Sequence, residues 1–114
     1  MRIISGKYKG RKLKGYNVVG TRPTMDKVKE SVINIIRTNI DKSICLDLFA
    51  GSGSIGFELL SNGASKCYLV DKSKVMINII KENIYNLSID NAFVLHGDYY
   101  KYLLYFKDMN YKFD

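Results

Sequence analysis

The sequence predicts an α/β protein built on a doubly wound parallel sheet. Short apolar runs suited to buried parallel strands alternate with segments of helical periodicity. A glycine-rich turn, "FAGSG", joins the first such run to the helix after it. At or near the end of each run stands an acid: Asp47, Asp71 and Asp98.

Residues 2–19 read as a small β-hairpin, punctuated by Gly6, Gly10 and Gly15. Pro23 and Thr24 open the first helix, and Asp26 suits the positive end of its dipole. Val28, Val32, Ile35 and Ile36 predict one apolar face, and the helix should end near Asn39. "SICLDLF" (43–49) is apolar on both faces and reads as a central strand. A helix over Ser54–Ser61 carries Ile55, Leu59 and Leu60 and stops at Asn62-Gly63. "KCYLVD" (66–71) is the second strand. Ser73 can cap the next helix. Its stripe of Met76, Ile79, Ile80, Asn83, Ile84 and Leu87 is apolar except at Asn83. "AFVLHGD" (92–98) is the third strand, "YYKYLLYF" (99–106) a short helix, and "YKFD" the approach to a fourth strand.

The 114 residues suit one domain, with 46% apolar and 25% charged residues as in ordinary globular proteins. No apolar run is long enough to span a bilayer, and "MRIISGKYKG" lacks the apolar core of a signal peptide, so a cytoplasmic setting is expected. Cys45 and Cys67 sit in apolar runs and read as buried, reduced thiols. With a single His96 and no C-x-x-C they make no metal site.

Charge divides the chain. Residues 1–37 hold ten Lys or Arg against Asp26 and Glu30, a net +8, whereas residues 38–114 sum to −1. A basic arm (1–20) therefore precedes the sheet-forming part (21–114), and it suits a polyanionic partner. Its cations are interleaved with Tyr8 and Tyr16. That pattern fits either a solvated ribbon or an arm that grips phosphates and stacks on bases.

Gly51, Gly53 and Gly56 form a G-x-G-x-x-G, which a dinucleotide or another adenosine cofactor could use. Asp71, twenty residues after Gly51, suits the ribose of either. Asp47 and Asp98 discriminate. A carboxylate at the mouth of the first strand would repel a pyrophosphate at the following helix N-terminus. The ammonium and sulfonium of S-adenosylmethionine would be favoured there. Asp98 could accept the exocyclic amine of adenine, and Tyr99 could pack on the ring. Each acid also has a purely structural reading: Asp98 as a turn or cap residue, Asp47 as a cap on the loop amides. All three together with the glycine loop point to a cationic adenosyl cofactor.

"GTRPTMDKVKESVINII", "CLDLFAGSGSIGFELLSNGA" and "LVDKSKV" resemble the RsmD-type methyltransferases, and "RIISGKYKGRKL" is similar to that family's basic hairpin. The pattern R-P-T-x-D-x-V-x-E at Arg22–Glu30 is the most specific of these, and the resemblance spans essentially the whole chain. It implies a Rossmann-like class I fold, S-adenosylmethionine as cofactor, and methylation of the exocyclic N2 of a guanine in small-subunit (16S) ribosomal RNA. By resemblance, Asp47, Phe49, Ala50, Gly51, Ser52, Gly53 and Gly56 form the methionine-side cradle. Asp71 would hold the ribose with Lys72 beside it, and Asp98 and Tyr99 would hold adenine. Thr24 and Arg22 would lie near the cofactor or the incoming base. Arg2, Lys7, Lys9, Arg11, Lys12 and Lys14, with Arg22, would bind rRNA, free or in the assembling small subunit.

Enzymes of this type carry an Asp/Asn-Pro-Pro-aromatic motif that positions the amine and stacks on the extruded base. The only proline here is Pro23, so no catalytic residue is assigned. The chain is expected to be the amino-terminal part of a longer enzyme, inactive alone, with an exposed first strand prone to pair with another copy. A non-enzymatic RNA-binding module is the alternative reading. A dinucleotide-binding fragment is disfavoured by Asp47 and Asp98.

Overall fold

A computed structural model describes residues 2–15, 23–109 and 111–114, with side chains of 23–26 outside that description. The element order is α1 (Pro23–Ile40), β1 (Ile44–Asp47), α2 (Ser54–Ser61), β2 (Lys66–Asp71), α3 (Lys74–Leu87), β3 (Ala92–His96) and α4 (Tyr99–Asp108). The strands form one parallel sheet in the order β1-β2-β3. The predicted α/β alternation is therefore observed, and the sheet brings Asp47 and Asp71 to neighbouring carboxyl ends. None of the described helices is long and apolar enough to cross a membrane.

The strands are shorter than the apolar runs that predicted them. β1 begins at Ile44 and ends at Asp47, because Leu48 and Phe49 already turn toward the glycine loop. β3 stops at His96, and Asp98 becomes the N-cap of α4 by accepting from the Tyr100 amide at 2.7 Å. That helix runs two residues further than expected. β1 is half-buried along its length and lies at the edge of the described sheet. On that edge the Asp114 amide donates to the Ile44 carbonyl at 2.8 Å, and the Ile44 amide donates to Asp114 Oδ2 at 2.8 Å.

Two helix faces differ from the expected ones. In α1 the buried residues are Lys29, Ile33 and Ile40, with Ile36 packed beside them, whereas Val28, Val32 and Ile35 are 60%, 40% and 80% exposed. Two apolar stripes run along this helix, and only one packs on α2. Apolar periodicity marks both and cannot choose between them. In α2, Ile55 is exposed, while Phe57, Glu58 and Leu60 are buried.

The expected hairpin reduces to a single antiparallel bridge, Arg2↔Lys12, closed around Gly6 and Gly10, both with positive φ. Residues 16–19 of the expected hairpin lie outside the described residues. The ladder is short because the arm gives its backbone amides to the helices instead. Ile4 and Ser5 amides donate to Glu58, the Lys7 amide to the Ser61 carbonyl, the Tyr8 amide to Ser61 Oγ, and the Lys14 amide to Asn83 Oδ1. Ile3 and Leu13 are buried in the main core. Gly6 is required at its contact: a Cβ there would sit 2.1 Å from the Ser61 carbonyl oxygen.

That core runs from the arm through α1 and α2 to Cys67 and Leu69 of β2 and Ile77, Ile80 and Leu87 of α3. The cysteines are free, Cys67 buried and Cys45 half-buried, and burial pushes the Cys67 thiol far above its ordinary value.

Candidate ligand-binding site at the strand ends

The site is assembled from three loops at the carboxyl ends of the strands. After β1 the chain turns through Gly51 (φ 58°) and Gly53 (φ 87°), a left-handed backbone that favours glycine. The Ala50 amide donates to the Val70 carbonyl and the Gly53 amide to the Ala50 carbonyl, each at 2.9 Å. Among the described residues nothing lies within 4 Å of a Cβ built on Gly51, which leaves that side of the loop open to them. A Cβ on Gly53 would instead meet the Phe57 ring at 2.6 Å. Gly56 serves packing: a Cβ there would lie 2.4 Å from Leu69 Cδ2 and 3.0 Å from Cys67 Sγ. It lets α2 approach β2 and faces away from the open side of the loop.

Asp71, the last residue of β2, organises the surroundings. Its Oδ2 accepts from the Gly51 amide at 2.9 Å and its Oδ1 from the Ser73 amide at 2.8 Å. Its own carbonyl accepts from the Gly97 amide at 3.0 Å. One residue thus ties the glycine loop, the start of α3 and the turn after β3. Each carboxylate oxygen keeps a lone pair for a ligand hydroxyl. Asp47 Oδ1 accepts from the Phe49 amide at 3.1 Å. Burial first, with the negative charge of Asp71 adding to it, holds the Asp47 carboxyl above its ordinary value, and the Phe49 amide partly offsets both. The repulsion between these two carboxylates would be relieved by a cation beside them.

A cleft of about 160 Å³ opens here, lined by Leu48, Phe49, Asp71, Lys72, Gly97, Asp98 and Tyr99. The Phe49 and Tyr99 rings on its lining have centroids 5.1 Å apart, and both are exposed. Five of the expected binding residues are thus gathered at one cleft: Phe49, Asp71, Lys72, Asp98 and Tyr99. Gly51 joins them through Asp71, whereas Asp47, Ala50, Ser52, Gly53 and Gly56 are not among the lining residues. Asp98 and Asp47 both make the local cap-type hydrogen bonds that a structural role predicts, and each retains acceptor capacity. Arg2, Lys7, Lys9, Arg11, Lys12 and Lys14 are exposed on the arm. Arg22 lies outside the described residues, and so does the Thr24 side chain.

Beneath the site is a polar network that the sequence reading missed. Lys29 Nζ, 5% exposed, donates to the Arg2 carbonyl and to Ser54 Oγ and pairs with Glu58 Oε1 at 3.2 Å. Asn83, 1% exposed, donates to the carbonyls of Lys14 and Ser52. The available signal was polar residues within apolar patterns, Glu58 in "GFELL" and Asn83 in its helical stripe.

The family model described as "Conserved hypothetical protein 95" matches residues 1–114. The chain belongs to this family, the RsmD family. Among curated relatives, a protein named ribosomal RNA small subunit methyltransferase D from Haemophilus influenzae is 47% identical over 87 residues, covering 76% of this chain and 45% of its own. Its namesake from Escherichia coli K12 is 36% identical over 103 residues, covering 90% of this chain and 52% of its own. The solved structure of yhhF from Escherichia coli superposes with a TM-score of 0.82 at 36% identity, covering 90% of this chain and 56% of that one. A SAM-dependent methyltransferase from Agrobacterium tumefaciens, 23% identical, shares the fold with a TM-score of 0.70, covering 90% of this chain and 33% of its own. The RsmD-family chain described here spans about half the length of the curated relatives it matches. Its fold is the Rossmann-like α/β fold of these methyltransferases.

Proposed function

We infer that this chain carries the cofactor site and RNA-gripping arm of an S-adenosylmethionine-dependent rRNA methyltransferase acting on the exocyclic N2 of a guanine in small-subunit RNA. The observation that carries the reading is the set of acids at three adjacent strand ends, Asp47, Asp71 and Asp98, around a glycine loop open at Gly51. This charge suits an ammonium, a sulfonium, ribose hydroxyls and an adenine amine. It opposes a pyrophosphate. The names of the rRNA-methylating relatives support the substrate class.

In this reading Asp71 accepts from the ribose hydroxyls while its amide bonds keep the loop in place. Asp98 accepts from adenine, with Phe49 and Tyr99 as aromatic walls, and Asp47 with the Gly51–Gly53 backbone faces the cationic end. S-adenosylmethionine, when bound, supplies the methyl group and its positively charged leaving sulfur. The arm's exposed cations hold the RNA backbone. The partner is small-subunit rRNA, free or in the assembling subunit, in a cytoplasmic setting, with pairing of two copies at the β1 edge as a secondary association. Pro23 is the only proline, so no Asp/Asn-Pro-Pro-aromatic motif stands in these residues, and we expect the chain to bind without transferring a methyl group.

Calorimetry tests this. Saturable S-adenosylmethionine binding, weakened about tenfold or more in Asp71→Ala, is expected from the loss of charge-assisted hydrogen bonds. Tighter binding of NADH than of S-adenosylmethionine would overturn the reading. RNA binding with no cofactor affinity would favour a non-enzymatic module, which the exposed basic arm also suits.

A further inference from the structure

The basic arm and the glycine loop meet at one buried side chain. Asn83 is the single polar residue on the buried face of α3, among Ile77, Ile79, Ile80 and Leu87. Its Oδ1 accepts from the Lys14 amide at 2.7 Å. Its Nδ2 donates to the Lys14 carbonyl at 2.9 Å and to the Ser52 carbonyl at 3.3 Å. Lys14 lies near the end of the described arm, and Ser52 lies between Gly51 and Gly53 in the loop. The flanking surface of α3 extends the seat: Glu82 pairs with Lys14 Nζ at 2.9 Å, and the Asn86 carbonyl accepts from Arg11 at 3.1 Å.

Asn83 has two N–H donors and one carbonyl, and all three groups are engaged, divided between two elements. If the arm lifts, a buried amide loses both its bonds to Lys14. If the loop rearranges, it loses Ser52. Leaving a buried amide unsatisfied is unfavourable. The arm and the loop therefore share a partner, and ordering one favours the ordered form of the other. A ligand on the loop fixes Ser52. A polyanion on the docked arm meets Lys7, Lys9, Arg11 and Lys12 already arrayed, which reduces the ordering cost of binding.

We propose that Asn83 is a positioning residue that couples the arm to the loop, so that RNA on the arm and an adenosyl ligand at the strand ends each raise the other's affinity. This rests on the functional reading above. The coupling is reciprocal by thermodynamic necessity.

The test measures S-adenosylhomocysteine binding with and without a short RNA stem-loop, and RNA binding with and without S-adenosylhomocysteine. In the wild-type chain each ligand is expected to tighten the other about fivefold or more. In Asn83→Leu the two effects should fall toward unity while both ligands still bind. A second measurement needs no variant. Hydrogen exchange of the Lys14 amide in the wild type should slow on adding S-adenosylhomocysteine, although Lys14 is on the arm. Both ligands binding independently in the wild type would overturn the proposal. So would coupling that survives in Asn83→Leu, or Lys14 exchange that ignores the ligand. A wild-type chain that binds no S-adenosylhomocysteine at all overturns the underlying reading, and the coupling with it.

Discussion

Removing the Glu58 carboxylate should come close to unfolding the molecule. Glu58 is fully buried in α2. Its Oε1 accepts from the Ile4 amide at 2.9 Å and pairs with Lys29 at 3.2 Å. Its Oε2 accepts from the amide and hydroxyl of Ser5, at 3.0 and 2.9 Å. Glu58→Ala leaves the Lys29 ammonium, 5% exposed, with two neutral oxygens among the described residues, the Arg2 carbonyl and Ser54 Oγ. Breaking a buried ion pair by removing one partner costs about 3–5 kcal/mol. The orphaned Ile4 and Ser5 amides push toward the upper end of that range, although water can reach these part-buried groups once the arm loosens. A domain of this kind is stable by roughly 5–15 kcal/mol, so the loss is a third of that or more. Urea unfolding followed by circular dichroism measures it, with the denaturant slope checking that the folded state stays compact. The double variant Lys29→Met/Glu58→Leu should recover at least about 1 kcal/mol relative to the sum of the singles, because apolar replacement removes both buried charges. A Glu58→Ala chain within about 0.5 kcal/mol of wild type would refute the idea that this carboxylate holds the arm to the helices.

Four further substitutions probe α2, the end of β1 and the faces of α1. Gly56→Ala puts a Cβ 2.4 Å from Leu69 Cδ2 and should destabilise by about 1–3 kcal/mol in the same urea assay, through overpacking of α2 on β2. Asp47→Asn should stabilise the chain at neutral pH and weaken adenosyl-ligand binding. The folded-state pKa of Asp47 lies above its unfolded value, so the folded chain holds this proton more tightly. Stability therefore falls as pH rises through that window, and the gain from Asn should vanish in unfolding curves taken below it. Ile33→Ala should cost about 2–5 kcal/mol, while Ile35→Ala, two residues along the same helix, should change stability by less than about 0.5 kcal/mol. Their exposures are 1% and 80%.

The layers of this molecule differ in how far they were legible. Strand–helix alternation and the acids at the strand ends predicted the sheet and the lining residues Asp71, Asp98 and Tyr99, since parallel topology alone brings strand ends together; Phe49 and Lys72 came from the family resemblance. The face of α1 was misread for a physical reason. Val28, Val32 and Ile35 repeat at the same helical spacing as the buried Lys29, Ile33 and Ile40 and the half-buried Ile36. A lysine on the packed stripe steers a reader to the opposite one. Lys29 is buried only because Glu58 lies across from it in α2, a long-range pairing that local pattern does not encode. The hairpin was overdrawn for a related reason. Amides assigned to a cross-strand ladder go to Glu58, Ser61 and Asn83.

Those polar side chains explain why the arm is a fixed part of the site and not a charged tail. A ribbon of residues 2–15 with only Ile3 and Leu13 in the core would bury little apolar surface for the entropy of ordering it. Its backbone is held because buried acceptors on α2 and α3 bond to it: two carboxylate oxygens of Glu58, Oγ of Ser61 and Oδ1 of Asn83. If the arm left, Ser61 Oγ and Asn83 Oδ1 would lose the amides they accept from, and Glu58 would keep only Lys29 and Asn62. Docking the arm thus completes the hydrogen bonding of α2 and α3, the helices that follow the glycine loop and Asp71. The cationic face of the arm is oriented by the same contacts: the amides of Ile4, Ser5, Lys7, Tyr8 and Lys14 point at the helices, and Lys7, Lys9 and Lys12 are left to solvent. A sequence with the same arm and a neutral apolar residue at position 58 would leave the Ile4 and Ser5 amides without their acceptor, and the arm would hang on Ser61, Asn83 and the burial of Ile3 and Leu13.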